Sequence, residues 1–238
     1  KVQEFSFFTK PIPGPALTDV QYPNWNLQEK NRIFSTFREQ SKQDVYNLLR
    51  TQILQQTVGL GLNTIMITSP GPGEGKTTTA INLGLSMARN DQYTALVVDT
   101  HLRAPKVHEY LGLNCEHGLS DYLLNGKPIS ELMVTPNEET FVIMPAGRCE
   151  GLECSTDIIS SLSMMILAKE LKKRYSDRYV FFDCPHLLGM PDTLVFSSYV
   201  DTVLLVIEAN KTRQDEVQNA LDVLKDQNVL GVVLNKAR

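Results

Sequence analysis

With 238 residues the chain is too long for a disulfide-stapled mini-protein, and at about 150 residues per domain it fits one large domain or two small ones, of which the first is favoured. Apolar residues make up 42% of it, enough to bury a sizeable core and too many for wholesale disorder. Its 23 basic and 27 acidic residues leave a net charge of −4, which excludes a nucleic-acid binder that relies on overall positive charge.

The sequence begins at Lys1 rather than Met, so its numbering is expected to start inside a longer product. Residues 1–43 read as a Pro-rich N-terminal arm or linker. Pro11, Pro13, Pro15 and Pro23 interrupt any regular period, with Gly14 among them. Phe5, Phe7, Phe8, Tyr22 and Trp25 are more aromatic side chain than a spacer needs, and imply that the arm docks on something. From Asp44 onward Val45, Leu48, Leu49 and Ile53 approximate helical spacing, predicting a helix that enters a domain covering 44–238.

Beyond that helix, short apolar runs alternate with helical patterns. Thr64 to Thr68, Ala95 to Val98, Phe141 to Met144, Val180 to Phe182, Val203 to Ile207 and Gly231 to Leu234 are continuously apolar, as expected of strands covered on both faces. Helices are predicted over 76–89, over 156–174 with Ile159, Leu162, Ile166 and Leu171 on one face, and over 214–226 with Val217, Leu221 and Leu224 on one face. This alternation predicts an α/β fold, a doubly wound and mostly parallel sheet flanked by helices. No run approaches the roughly 20 apolar residues that cross a bilayer. Cys115, Cys149, Cys154 and Cys184 form no paired C-x-x-C arrangement and read as reduced thiols of a cytoplasmic protein.

The strongest signal is Ser69-Pro70-Gly71-Pro72-Gly73-Glu74-Gly75-Lys76-Thr77-Thr78, between the first predicted strand and the helix that follows. Gly73 and Gly75 let backbone N–H groups turn toward phosphate oxygens, and the helix start adds partial positive charge. Lys76 can reach the outer phosphates, and Thr77 can offer its hydroxyl to magnesium. Glu74 and Thr78 complete the cofactor-binding run. Pro70 stands at the first glycine position of G-x-x-x-x-G-K-[S/T], so the match is incomplete.

Two aspartates, Asp99 and Asp183, close buried strands on the edge where open parallel sheets bind ligands. Taken singly, a strand-end aspartate is more often a turn or helix cap than a functional residue. Beside a phosphate loop, Asp183 becomes the partner of Thr77 in holding the ion, and Asp99 is expected to contact the ion or accept a proton from an attacking hydroxyl.

These residues resemble the bacterial tyrosine kinases of capsule and exopolysaccharide synthesis, relatives of the ParA/MinD-type P-loop ATPases. The resemblance covers about residues 44–238 and rests on Pro72 to Thr77, on Leu96 to Arg103-Ala104-Pro105, on Asp183-Cys184-Pro185-His186, and on Gly118 to Leu123, Met144 to Gly147 and Asp201 to Asn235. It implies ATP/ADP and Mg2+ as cofactors, with Lys76, Asp99 and Asp183 catalytic and Thr77, Asp99 and Asp183 at the metal. It adds Arg103 to the cofactor-binding set and places Asn235 beside the adenine. It also implies, as partners, the cytoplasmic segment of a membrane polysaccharide chain-length regulator and further copies of the chain, at the inner face of the membrane.

Three departures qualify the resemblance. The family's Asp-x-Asp-x-Arg is here Asp99-Thr100-His101-Leu102-Arg103, without the second carboxylate. The helix that reads Glu-x-x-Arg-x-x-Arg in relatives, where it supports a ring of subunits, is Asp44 to Arg50 with Asn47 at the middle position. Relatives end in a tyrosine cluster, whereas the last tyrosine here is Tyr199. The sequence therefore supports a protein-tyrosine kinase, with a kinase-inactive ATPase or nucleotide-dependent switch as the alternative.

Overall fold

Successive residues of a strand point to opposite faces of a sheet, so an uninterrupted apolar run needs cover on both sides. The computed structural model, which describes residues 19–33, 40–136, 140–148 and 155–237, supplies that cover. After β1 (Asp19–Gln21), α1 (Trp25–Lys30) and α2 (Gln40–Thr57) come β2 (Thr64–Thr68), α3 (Lys76–Ala88), β3 (Thr94–Asp99), α4 (Val107–Leu111) and α5 (Leu119–Asn125). A single 3-10 turn at Ile129–Glu131 leads to β4 (Val134–Pro136) and β5 (Phe141–Met144). The chain continues through α6 (Ser155–Ile159), α7 (Leu162–Arg174), β6 (Arg178–Asp183), α8 (Pro191–Ser197), β7 (Thr202–Glu208), α9 (Gln214–Val223) and β8 (Val229–Asn235).

The eight strands form one sheet in the order β1-β4-β5-β3-β6-β2-β7-β8. Every neighbouring pair is parallel except β4 and β5. Odd and even residues separate two cores. Ile65, Ile67, Ala95, Val97 and Phe181 join Ile53, Ile81, Leu83 and Met87 on one side. Met66, Leu96, Val98 and Phe182 join Met164, Leu167, Leu171, Phe196 and Leu224 on the other. Phe181 and Phe182, adjacent in β6, thus enter opposite cores with no exposed surface, each burial being worth about 1.5–3 kcal/mol. Among the described residues no helix is long and apolar enough to cross a membrane.

Four local expectations are corrected. The predicted helix over 156–174 is broken before Leu162, because Ser161 caps α7 by accepting the N–H of Met164 at 3.2 Å. The new start resets the helical phase. Met164, Leu167, Ala168 and Leu171 face the core, while Leu162 and Ile166 are exposed. In α2 the buried stripe runs through Leu49 and Ile53, and Val45 and Leu48 lie in solvent. β8 is an edge strand with Val232 and Leu234 exposed, so cover on both faces fails there. β1 and β4, three residues each, carry too little pattern to be read.

Of the expected arm, residues 1–18 and 34–39 lie outside the described residues, with Pro11, Gly14 and the Phe5, Phe7 and Phe8 group. Residues 19–33 pack on the sheet domain: β1 pairs with β4, Ile33 is buried in the core, and the Asn24 N–H donates to Leu111 O at 3.1 Å. Cys115 and Cys184 are thiols. Cys149 and Cys154 lie outside the described residues.

Candidate functional site

The ends of β2, β3 and β6 meet at one edge of the sheet, and the loop after β2 carries the glycine-rich run. Its two tight turns are possible because Gly73 and Gly75 take left-handed backbone angles, φ 78° and 99°. Gly75 is also the N-cap of α3 and offers no side-chain cap. The first amides of that helix have no partner within it, so they remain as donors for an anion. A Cβ on Gly75 would stand 2.0 Å from Nδ2 of Asn235.

The loop is braced from the β7–β8 side. Asn235 donates from Nδ2 to Glu74 O at 2.9 Å, and Lys236 donates to Gly73 O at 2.8 Å while pairing with Glu208 at 2.8 Å. The Glu74 carboxylate is buried and accepts the Gly71 N–H at 3.0 Å and the Thr212 hydroxyl. Thr212 in turn accepts the Glu208 N–H at 2.8 Å. On the opposite side Leu187 and Leu188 donate their N–H groups to Ser69 O and Pro70 O, at 2.8 and 3.2 Å. The loop is therefore tied in place from both sides.

Lys76 opens α3 almost fully buried. Burial pulls its ammonium below the usual lysine value, and the Asp183 and Glu74 charges oppose this. Thr77 donates its hydroxyl to Oδ2 of Asp183 at 2.7 Å. Oδ1 of Asp183 is buried without a partner. Burial first, then the Asp99 charge, pushes the Asp183 carboxyl well above the ordinary carboxylate range. Asp99 and Asp183 are register partners across β3 and β6, and burial raises Asp99 likewise. Asp99 accepts the N–H groups of His101 at 3.1 Å, Lys106 at 2.9 Å and Val107 at 3.0 Å. Its carboxylate thus also fixes the connection to α4.

An orphaned carboxylate oxygen beside a threonine hydroxyl is a donor set suited to magnesium, a hard cation that takes few protein oxygens and completes its shell with phosphates and water. The described residues contain no cluster of three His, Cys, Asp or Glu able to hold an ion alone, so the phosphates have to share in holding it. His101 and His186 both face Lys76. Burial, then Lys76 and His186, lowers His101 to about 4, and burial, then Lys76, lowers His186 as well. The His101 ring is therefore neutral at pH 7.

The sequence-predicted residues Gly73, Glu74, Gly75, Lys76, Thr77, Asp99, Asp183 and Asn235 converge on this edge. Thr78 follows in α3, its carbonyl accepting from Asn82 at 2.9 Å. Arg103 is half-exposed and turns to α8, with Nε 3.4 Å from the buried Asp192 carboxylate. Asn47 accepts the Ser86 hydroxyl at 2.8 Å and Arg50 donates to Ser86 O, so both engage the end of α3. Sequence reasoning missed Thr212, Glu208 and Lys236. Only Lys236, directly after Asn235, gave any signal.

Comparison with known proteins adds identity to this geometry. The AAA domain family matches residues 62–228. Tyrosine-protein kinase YwqD of Bacillus subtilis is 30% identical over 209 residues, 87% of this chain and 86% of its own. Tyrosine-protein kinase CpsD of Streptococcus pneumoniae is 28% identical over 196 residues, covering 82% and 84%. Among solved structures, the chimerical protein CapA2B2 superposes with a TM-score of 0.76 at 25% identity, covering 92% of this chain and 93% of its own. The septum site-determining protein MinD of Pyrococcus horikoshii, solved with Mg-ADP, superposes at 0.61 with 22% identity, covering 73% and 70%, a likeness of fold.

Proposed function

Because the chain belongs to the bacterial tyrosine kinases of capsule and exopolysaccharide synthesis, within the AAA-domain P-loop ATPases, we propose that it transfers the γ-phosphoryl group of ATP to tyrosine. The observation that carries this reading is the Thr77–Asp183 pair, with Oδ1 of Asp183 free, beneath the uncapped start of α3. Loop amides and the Lys76 ammonium take the charge of the β- and γ-phosphates. Thr77 and Asp183 would hold magnesium, which when bound neutralises phosphate oxygens. Asp99, oriented by three backbone amides and made more basic by burial, receives the tyrosine proton. Positioning and electrostatics supply most of the acceleration in such a reaction.

The reading includes a membrane chain-length regulator whose cytoplasmic segment packs on this chain, and a place at the inner membrane face. The ATP-binding unit of this proposal is the expected domain 44–238 extended by residues 19–33, whose β1 joins the sheet and whose Ile33 enters the core. A second reading, a nucleotide-dependent switch that releases ADP without phosphorylating tyrosine, is favoured by His101. Its neutral ring stands where relatives carry a second carboxylate. Incubation with labelled Mg-ATP and a Glu/Tyr copolymer decides between them. Phosphotyrosine that disappears in Lys76→Met is the expected result. ADP release without phosphotyrosine would establish the switch.

A further inference from the structure

A tyrosine kinase needs an accessible phenol, and the chain's own tyrosines differ sharply in access. All eight lie among the described residues, and Tyr22 alone is exposed, at 80%. The others are buried or half-buried. Tyr179 shares a hydrogen bond with the Thr57 hydroxyl at 2.7 Å, Tyr199 donates to Ser160 O at 3.2 Å, and Tyr46 is held beside Thr79 and Asn82.

Tyr22 is also presented on a fixed segment. It follows β1 directly, and the Gln21 side chain before it forms a two-point bond to the Asn114 backbone, Nε2 to O at 3.0 Å and N–H to Oε1 at 3.2 Å. Two residues later the Asn24 N–H is bonded to Leu111 O. Pro23 favours an extended backbone at Tyr22. Val20, which shares a strand face with Tyr22, is 55% exposed.

From these observations we propose that Tyr22 is a phosphorylation site of this chain, modified by a second copy. The inference rests on the kinase reading above. Transfer within one copy is excluded by topology. β1 lies five strand spacings from β2, roughly 24 Å at about 4.8 Å each. β1 also runs opposite to the core strands, because β4 is antiparallel to β5, so Tyr22 emerges at the sheet edge away from the phosphate loop. In the reaction Tyr22 Oη bonds to the γ-phosphorus of ATP held by the other copy. The bond from that phosphorus to the β–γ bridging oxygen breaks, ADP leaves with the electron pair, and the phenolic proton passes to that copy's Asp99. The phosphate then places about −1.5 to −2 charges on the β1–α1 turn.

The test mixes the 238-residue chain carrying Lys76→Met, which keeps Tyr22, with the same chain carrying Tyr22→Phe, which keeps the phosphate loop, in γ-labelled Mg-ATP. Mass spectrometry is expected to find phosphate on Tyr22 of Lys76→Met. Tyr22→Phe alone should incorporate at least tenfold less phosphate than wild type while labelling the Glu/Tyr copolymer at an unchanged rate. For wild type alone, labelling per mole of chain should rise with protein concentration. Copolymer labelling without phosphate on Tyr22, or a rate independent of concentration, overturns the proposal and leaves the kinase reading standing. ADP release with phosphotyrosine on neither Tyr22 nor the copolymer overturns both.

Discussion

Replacing Gly75 by alanine tests how the phosphate loop is braced. Gly73 and Gly75 share the left-handed backbone, and a Cβ there costs about 1–2 kcal/mol. Their surroundings differ. Nothing lies within 4 Å of a Cβ on Gly73, whereas one on Gly75 would meet Asn235 Nδ2 at 2.0 Å. Asn235 would have to swing away and give up its bond to Glu74 O, a further loss of about 0.5–1.5 kcal/mol. Gly73→Ala is therefore expected to cost about 1–2 kcal/mol and Gly75→Ala about 2–3 kcal/mol. In an Asn235→Ala background the Gly75 cost should fall to that of Gly73, a coupling of about 1 kcal/mol. Urea unfolding midpoints of the four variants and the wild type measure this. Equal costs for Gly75→Ala in both backgrounds would refute the reasoning.

Two further outcomes follow from the same structure. Asp183 has a carboxyl raised by burial and then by Asp99. Its contribution to stability is full below the ordinary carboxylate value, about pH 4, and is lost as pH rises through the raised value. Asp183→Asn should therefore lose less stability than wild type between about pH 4.5 and pH 8, by on the order of 1–3 kcal/mol at the upper end. Parallel pH profiles from chemical unfolding would contradict this. Ser161→Ala removes the α7 cap and should destabilise by about 0.5–2 kcal/mol, with ATP affinity unchanged. A fall in affinity would show that α7 bears on the site.

Six strands, five central and the edge strand β8, were legible because each is a continuous apolar run between turn residues, and their alternation with helices dictates the parallel sheet. The phosphate loop was legible because Gly73, Gly75, Lys76 and Thr77 are required together by one chemistry. The break before α7 was not, since a serine cap competes locally with apolar spacing that continues through it. Residues 19–33 gave no strand signal because a three-residue edge strand depends on its neighbour β4, far away in sequence. Thr212 and Glu208 were invisible for a related reason. They act by hydrogen bonds across the fold, and an isolated polar residue has no period. Arg103 was read with its motif, but the buried Asp192 that engages it lies about ninety positions further on.

The central claim is that Thr77 and Asp183, under the start of α3, form a site for a metal-bound nucleotide. Titration of a fluorescent ATP analogue into wild type and Asp183→Asn, each with and without magnesium, tests it most directly. Magnesium should tighten binding to wild type at least tenfold and leave the affinity of Asp183→Asn nearly unchanged. An equal magnesium effect on both proteins, or none on either, would contradict the account.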